Sequence, residues 1–267
     1  MRLFKPQNTE QIVQVFHHCL GRLCPRIGKT IALIWGSAWL FCSPVLAQTA
    51  VDYRQQGLAY RSQGLWNEAM ATLERAVNLD PNNLSGRVLW GWTAHLAGQD
   101  HQAAAILTAN LERDPFHIET LNALGIVYLV QGKVWPAIVT HSWAGMLKPD
   151  NEIAFYNLSL GFQRVGLLDW SIATAEYASV LDPYNPHPLV ALALAHGTQA
   201  AEQATVEQDA VEKDAAEKDA AEKVRTIVQA TRRLDDRYSD LAFFDHLEEA
   251  GFSPEQITQT RILFQQY

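Results

Sequence analysis

The chain has 267 residues, of which 48% are hydrophobic and 19% are charged, and its formal net charge is −8. This composition is typical of a globular protein and excludes a chain that is disordered throughout. The acidic balance excludes a broad electrostatic attraction for nucleic acid or for anionic lipid headgroups.

The first 47 residues have the pattern of a targeting segment. Basic residues come first, at Arg2, Lys5, Arg22, Arg26 and Lys29, and an apolar run without charge follows at residues 31–46. A run of this length is short for a membrane-spanning helix, which needs about 20 residues. It ends with the small residues Val45 and Ala47, as a signal peptidase prefers. We expect an exported chain, periplasmic, lumenal or secreted; an uncleaved N-terminal membrane anchor is the alternative.

Cleavage after Ala47 would change the composition of the chain. All three cysteines (Cys19, Cys24 and Cys42) precede that point, and the remainder has 16 basic and 28 acidic residues. A chain without thiols suits an oxidising compartment, and it excludes disulfides, zinc–thiolate sites and cysteine nucleophiles.

A 34-residue period runs from Ala50 to Asn185. Proline recurs at Pro81, Pro115, Pro149 and Pro183, and glycine recurs at Gly64, Gly98, Gly132 and Gly166. The glycines, at position 15 of each unit, are predicted to end a first helix, and the prolines, at position 32, to stop a second. Small residues at position 8, which let the two helices approach closely, are Gly57, Gly91, Gly125 and Ser159.

This pattern resembles the tetratricopeptide repeat family, which has a 34-residue helix–turn–helix unit. The first unit matches best, with Gly57, Tyr60, Gly64, Ala69, Ala76 and Pro81 at the family's positions. Departures from the pattern include Asn110, His141, Ser159 and Ser171. The resemblance implies an all-α fold, a right-handed helical-hairpin solenoid of four to five repeats, of which four occupy residues 50–185.

The repeat weakens after Pro186, and we expect residues 186–240 to form a degenerate fifth repeat with a charged helical insertion. The insertion is a pentapeptide run from Val206 to Lys223, rich in the helix formers Ala, Glu and Lys. A five-residue period gives no apolar stripe, so a long charged, solvated helix is predicted, as a spacer or alternatively as an electrostatic docking rod.

Residues 241–267 are predicted to form a C-terminal helical cap. Ser253 is placed as the N-cap of the last helix, with Pro254 at its first position. The apolar side chains of this pair of helices would form a large exposed patch if the pair stood alone. We therefore expect the pair to cap the last repeat or to fold back into the inner groove.

The sequence has none of the motifs that mark common reaction centres, such as HExxH, GxSxG, GxGxxG or a phosphate-binding loop. His95 and His101 flank a turn with Asp100 between them, and we interpret them as turn residues. His141 has no acidic partner at helical spacing, and we interpret it as a packing residue. The prediction is a chain without enzymatic activity, cofactor or metal.

The family resemblance implies binding through the concave face, which the first helices of the repeats line. The predicted partner-binding residues are Arg54, Leu58, Arg61, Val88, Trp92, His95, Ile126, Tyr156, Leu160 and Arg164. Their apolar and aromatic character favours a protein partner with an apolar or amphipathic helical segment, with Trp92 and Tyr156 as anchors. The alternative is that they contact the protein's own C-terminal helices.

These patterns together predict a non-catalytic interaction scaffold or assembly factor for a protein complex outside the cytoplasm. An accessory subunit that recruits substrate to an envelope enzyme or transport complex is the alternative. A module that binds a small ligand or peptidoglycan is disfavoured, because no pattern indicates an enclosed pocket.

Overall fold

The computed structural model describes residues 48–206 and 210–267. The predicted targeting segment, residues 1–47, lies outside them, as do residues 207–209 of the charged run. All regular structure in the described ranges is helical. None of the helices there is long and apolar enough to span a bilayer.

Four consecutive helical hairpins form the part of the chain with the 34-residue period, one hairpin to each repeat. Their helices are α1 (Ala50–Ser62) and α2 (Trp66–Leu79), α3 (Leu84–Leu96) and α4 (Asp100–Leu111), α5 (Ile118–Val130) and α6 (Val134–Leu147), and α7 (Glu152–Arg164) and α8 (Leu168–Leu181). Each helix packs mainly on its neighbours in the chain. The predicted all-α hairpin solenoid is confirmed.

The periodic glycines have the two roles that the sequence predicts. Gly64 and its three counterparts connect the helices of each hairpin with φ between 70° and 74°, which only glycine adopts without strain. At position 8 the helices touch: a Cβ on Gly57 would lie 2.7 Å from Leu73 Cγ, and one on Gly91 would lie 2.8 Å from Leu107 Cγ. Glycine at position 8 therefore sets the close packing within a hairpin.

A fifth hairpin follows, formed by α9 (Pro186–Val206) and α10 (Ala210–Leu234). Its helices have 21 and 25 residues, whereas those of the four repeats have 12 to 14. The charged insertion therefore lengthens both helices of a hairpin instead of forming a separate rod. Glu217, Lys218 and Asp219 on this extension are exposed, as expected of a solvated helix.

The C-terminal segment consists of two 3₁₀ helices, Asp236–Ser239 and Leu241–Glu248, and of α11 (Pro254–Gln266). Ser253 caps α11 as predicted, in a reciprocal capping box with Gln256. The largest core cluster joins this segment to α9 and α10 and to the third and fourth repeats. Fully buried aromatic side chains at its centre are Tyr238, Phe244, Phe252 and Phe264.

Candidate interaction surfaces

The concave face changes from open to closed along the solenoid, as position 9 of each first helix shows. The residues at this position are Leu58, Trp92, Ile126 and Leu160. Leu58 is 38% exposed, whereas Ile126 is 8% exposed and Leu160 is fully buried. Residues at the same position of the repeat thus differ in exposure, because another part of the chain covers the concave face of the third and fourth repeats.

The cover is the segment between the second 3₁₀ helix and α11. The Tyr156 hydroxyl on α7 donates a hydrogen bond of 3.1 Å to the Ala250 carbonyl. Gly251 has a φ of 90°, and a Cβ there would lie 3.3 Å from Leu129 Cδ1 and from Asn157 Oδ1. Glycine at position 251 therefore lets the backbone of this segment lie directly against α5 and α7.

Arg164, at the end of α7, binds the covering segment to the solenoid. Its Nε donates to Gln256 Oε1 at 2.7 Å, its Nη1 donates to the Leu129 carbonyl at 2.6 Å, and its Nη2 donates to the Gly251 carbonyl. Burial lowers the pKa of Arg164 to about 10, so the guanidinium keeps its charge at neutral pH. All three guanidinium nitrogens are thus engaged within the chain.

Gln256 completes this contact from the side of α11. Its Nε2 donates to the Leu160 carbonyl at 3.2 Å and to Gln163 Oε1 at 2.7 Å, while its Oε1 also accepts from the Ser253 amide at 3.0 Å. The side chain is 2% exposed, and both ends of the amide are hydrogen-bonded. A satisfied, buried polar network fixes the register of the covering segment on the groove.

Four of the predicted partner-binding residues therefore lie beside the protein's own C-terminal segment in this structure. Tyr156, Leu160 and Arg164 are hydrogen-bonded to it. Ile126 Cγ2 lies 3.8 Å from the position that a Cβ on Gly251 would take. For the third and fourth repeats, the structure matches the alternative in which the C-terminal residues occupy the groove. The same segment also packs on the fifth hairpin, so it covers the end of the solenoid and its inner groove together.

The other six predicted residues lie on the first two repeats, away from that segment. Arg54 is paired with Asp80 at 3.6 Å, Leu58 is exposed, and Arg61 is half-buried. Val88 and Trp92 are half-buried and pack on the core of the second repeat. His95 is buried, with its Nδ1 at 2.6 Å from Asp100 Oδ1 and its ring 4.8 Å from that of Trp92.

The outer face of the third and fourth repeats is a surface that the sequence analysis did not single out. Trp135, Val139, Trp143 and Met146 are exposed on α6, and Trp170, Tyr177 and Val180 are exposed on α8. The second helices of the first two repeats have mainly polar or small residues outside. Aligning the four units at their outer positions would have revealed this difference in the sequence.

Chemical sites are not evident in the part of the chain that the structure describes. It contains no group of three or more His, Cys, Asp or Glu side chains arranged to hold a metal ion. His187 and His246 place their Nε2 atoms 3.4 Å apart beneath Tyr156 and Tyr238, where they join α9 to the C-terminal segment. His141 is fully buried against Gly125, in the position of a packing residue.

Comparisons with known proteins support the architecture. No protein-family model matches the chain, and no curated protein matches it. Solved structures of MamA have a similar fold. MamA from residue 41 to the end, from Desulfovibrio magneticus RS-1, has a TM-score of 0.55 and 21% identity over 70% of this chain and 97% of that one. A MamA RS-1 ArsTM double mutant has a TM-score of 0.56 and 19% identity over the same shares. A further crystal structure of MamA protein has a TM-score of 0.52 and 18% identity over 71% and 93%.

Proposed function

We propose that this chain is a non-catalytic protein-interaction scaffold or assembly factor that binds its partner through the concave face of the first two repeats. One observation carries the proposal. The chain's own C-terminal segment contacts the concave face of the third and fourth repeats, whereas Leu58 on the concave face of the first repeat is 38% exposed. A hairpin solenoid with one open half presents an extended surface of the kind that repeat proteins use for binding.

The open surface favours an amphipathic helical segment as its ligand. Leu58 and Trp92 provide apolar contact area, and Arg54 and Arg61 stand beside them. Because Arg61 is only partly exposed, an acidic side chain of the partner would meet it in a partly desolvated setting, where a bidentate pair is strong. Arg54 is already paired with Asp80 at 3.6 Å and would be shared with that carboxylate. The ligand we propose has an apolar stripe with an acidic residue at its edge.

We further propose that the chain acts outside the cytoplasm. The support is the order of basic residues, uncharged run and small residues before Ala47, together with the absence of cysteine after residue 42. N-terminal sequencing of the protein purified from its native host tests this proposal. A new N-terminus at Gln48 supports export with cleavage, and an unprocessed chain recovered with the cytoplasmic fraction contradicts it.

A crosslinking pull-down from the native host, with the full chain as bait, tests the binding surface. Leu58→Arg places a charge in the open groove and is expected to lower recovery of the partner at least tenfold. Ala59→Arg is the matched control, because Ala59 is the exposed neighbour outside the predicted concave positions. Equal recovery with both variants would contradict binding at this face. A partner at fixed stoichiometry with enzymatic or transport activity would instead favour the accessory-subunit interpretation.

A further inference from the structure

An apolar stripe runs along the outer surface of α6. Trp135, Val139, Trp143 and Met146 are 60%, 67%, 40% and 72% exposed, respectively. They are spaced by four, four and three residues, so they lie on one side of the helix. Monomeric proteins rarely expose a contiguous set of large apolar side chains, because such a surface is stabilised by covering it.

The first two repeats show which residues the solenoid has at the positions equivalent to this stripe. The same four positions of the first repeat are Asn67, Ala71, Arg75 and Asn78, and those of the second repeat are His101, Ala105, Ala109 and Glu112. The hairpin therefore folds with polar or small residues at these positions. The large apolar side chains of the third repeat are not required by the architecture, and a different role has to account for them.

Neighbouring side chains widen the stripe at its C-terminal end. Phe116 stacks on Trp143 with the ring centroids 6.1 Å apart, and it is 57% exposed. On the other side, the Tyr177 hydroxyl of α8 donates to the Pro149 carbonyl at 3.1 Å, which brings the outer face of α8 next to the end of α6. The surface therefore continues from α6 towards both adjacent repeats.

The charges around the stripe are arranged in a particular way. Residues 134–147 include no charged side chain, and the exposed Lys133 and Lys148 stand immediately before and after the helix. Among the described residues, neither lysine forms an ion pair with a carboxylate, and the Lys133 ammonium lies over the Tyr128 ring, 5.7 Å from its centroid. The two lysines are 15 positions apart in the sequence, and 15 steps of 1.5 Å along a helix correspond to about 22 Å.

From these observations we infer that the outer face of α6 is a docking site for an amphipathic helix of a second protein, apolar along one side and with an acidic residue near each end. The apolar side meets Trp135, Val139, Trp143 and Met146, and the acidic residues meet Lys133 and Lys148. An anionic bilayer fits less well, because it would cover the whole outer face and bring its headgroups against the exposed acids Asp150, Asp169 and Glu176. A helix laid along the stripe places carboxylates only near the two lysines. This surface is distinct from the concave face.

The test uses the full chain with p-benzoylphenylalanine, a photo-crosslinking amino acid, in place of Val139. After irradiation in the native host, mass spectrometry identifies the crosslinked segment. The segment is then synthesised, and its binding to the purified full chain is measured by fluorescence anisotropy. We expect a helix-forming segment with an apolar stripe and acidic residues about 14 to 15 positions apart, matching the lysine spacing at 1.5 Å per residue.

Three variants test the contacts that the inference names. Val139→Arg is expected to weaken peptide binding at least tenfold, and Lys133→Glu/Lys148→Glu at least threefold at low salt. Ala105→Arg, at the equivalent exposed position of α4, and Leu58→Arg on the concave face are expected to leave binding unchanged. Unaltered thermal unfolding of each variant shows that the fold is kept.

Several results would overturn the inference. Crosslinks that form only between copies of this chain would identify self-association, and crosslinks only to lipid would identify membrane contact. A segment without the acidic ends, equal binding by the lysine variant, or no crosslink at all would each contradict the proposed partner. Because Leu58→Arg is included, failure here is distinguishable from failure of the concave-face proposal.

Discussion

At the scale of single residues, one departure from the repeat pattern is compensated by another. Large side chains at position 24 lie on glycine at position 8 in the first three repeats, as Leu73 does on Gly57 and His141 does on Gly125. In the fourth repeat position 24 is Ala175, and position 8 is Ser159. The Ser159 hydroxyl contacts that of Ser171 at 3.1 Å, and Ser171 Oγ donates to the Ser159 carbonyl at 2.8 Å. In the fourth repeat, the larger residue at position 8, Ser159, is therefore accompanied by a smaller residue at position 24, Ala175.

His141 is the departure with the clearest thermodynamic consequence. Its side chain is fully buried, and neither ring nitrogen has a hydrogen-bond partner among the described residues. We predict that His141→Leu stabilises the protein by about 1 to 2 kcal/mol, because it removes two unsatisfied polar atoms and restores the residue found at Leu73 and Leu107. Urea unfolding at pH 7.5 measures the change, and a loss of stability would contradict it.

The same histidine predicts a dependence of stability on pH. Burial lowers the pKa of His141 from 6.5 to about 3, so protonation favours the unfolded chain. The contribution of the neutral form is therefore complete above pH 6.5 and is lost as pH falls towards 3. We expect the stability of the wild-type chain to decline over this range and that of His141→Leu to decline less steeply. Parallel pH profiles of the two proteins would show that His141 is not the cause.

The pairing of positions 8 and 24 can be tested by exchange. Ala175→Leu is expected to destabilise the protein by about 1 to 3 kcal/mol, since the added atoms would meet Ser159. Combining it with Ser159→Gly recreates the pair that Gly57 and Leu73 form, and part of the loss should be recovered. A double-mutant cycle measured by chemical denaturation gives the coupling energy, and additive effects would mean that the two positions are independent.

At the scale of helices and segments, the covering segment depends on a few polar contacts added to a large apolar core. Phe252 is 1% exposed and belongs to the same cluster as Leu129 and Leu160. Arg164 and Gln256 add hydrogen bonds that fix where the backbone of residues 250–256 lies. The apolar core holds the segment on the solenoid, and the polar network determines its position.

Arg164→Ala is expected to loosen this segment. It removes three hydrogen bonds and leaves the buried carbonyls of Leu129 and Gly251 without their donor, at a cost of about 3 kcal/mol. Hydrogen exchange should accelerate at residues 250–257 while α1 to α3 stay unchanged. Arg164→Lys is the control for charge: it keeps the positive charge but not the planar fork, so it should resemble the alanine variant. Wild-type exchange rates in Arg164→Ala would contradict the role of this residue.

At the scale of the whole molecule, the sequence predicted the local architecture but not which surfaces are covered. The glycines at position 15 and the Ser253 cap act through the backbone of their own turn, so their effect is visible in a few consecutive residues. The contact between Tyr156 and Ala250 joins residues 94 positions apart, and no local pattern specifies it. The sequence was therefore compatible with two positions for the C-terminal helices, on the last repeat or in the inner groove. In the structure the C-terminal segment contacts both.

The proposed binding surfaces depend on this long-range contact. Five of the ten predicted partner-binding residues keep that role as a proposal, because they lie on the first two repeats and are at least partly exposed. His95 lies on the same repeats but is buried beside Asp100, so it does not face a partner. The outer stripe of α6 was readable from the repeat register, since each of its residues differs in size or polarity from its counterparts in the first two repeats. Binding faces of a repeat protein are thus best sought by comparing the units at equivalent positions.

The central claim is that the concave face is closed at the fourth repeat and open at the first, and thiol labelling tests it directly. Leu58 and Leu160 occupy position 9 of their repeats, with 38% and 0% exposure, respectively. Each is replaced by cysteine in a full chain whose Cys19, Cys24 and Cys42 have been changed to serine. We predict that iodoacetamide modifies the Leu58→Cys chain at least a hundredfold faster than the Leu160→Cys chain. Adding Arg164→Ala to both chains is expected to lower this ratio of labelling rates. Equal labelling rates of the two chains that keep Arg164 would show that the groove of the fourth repeat is open, which would contradict the central claim.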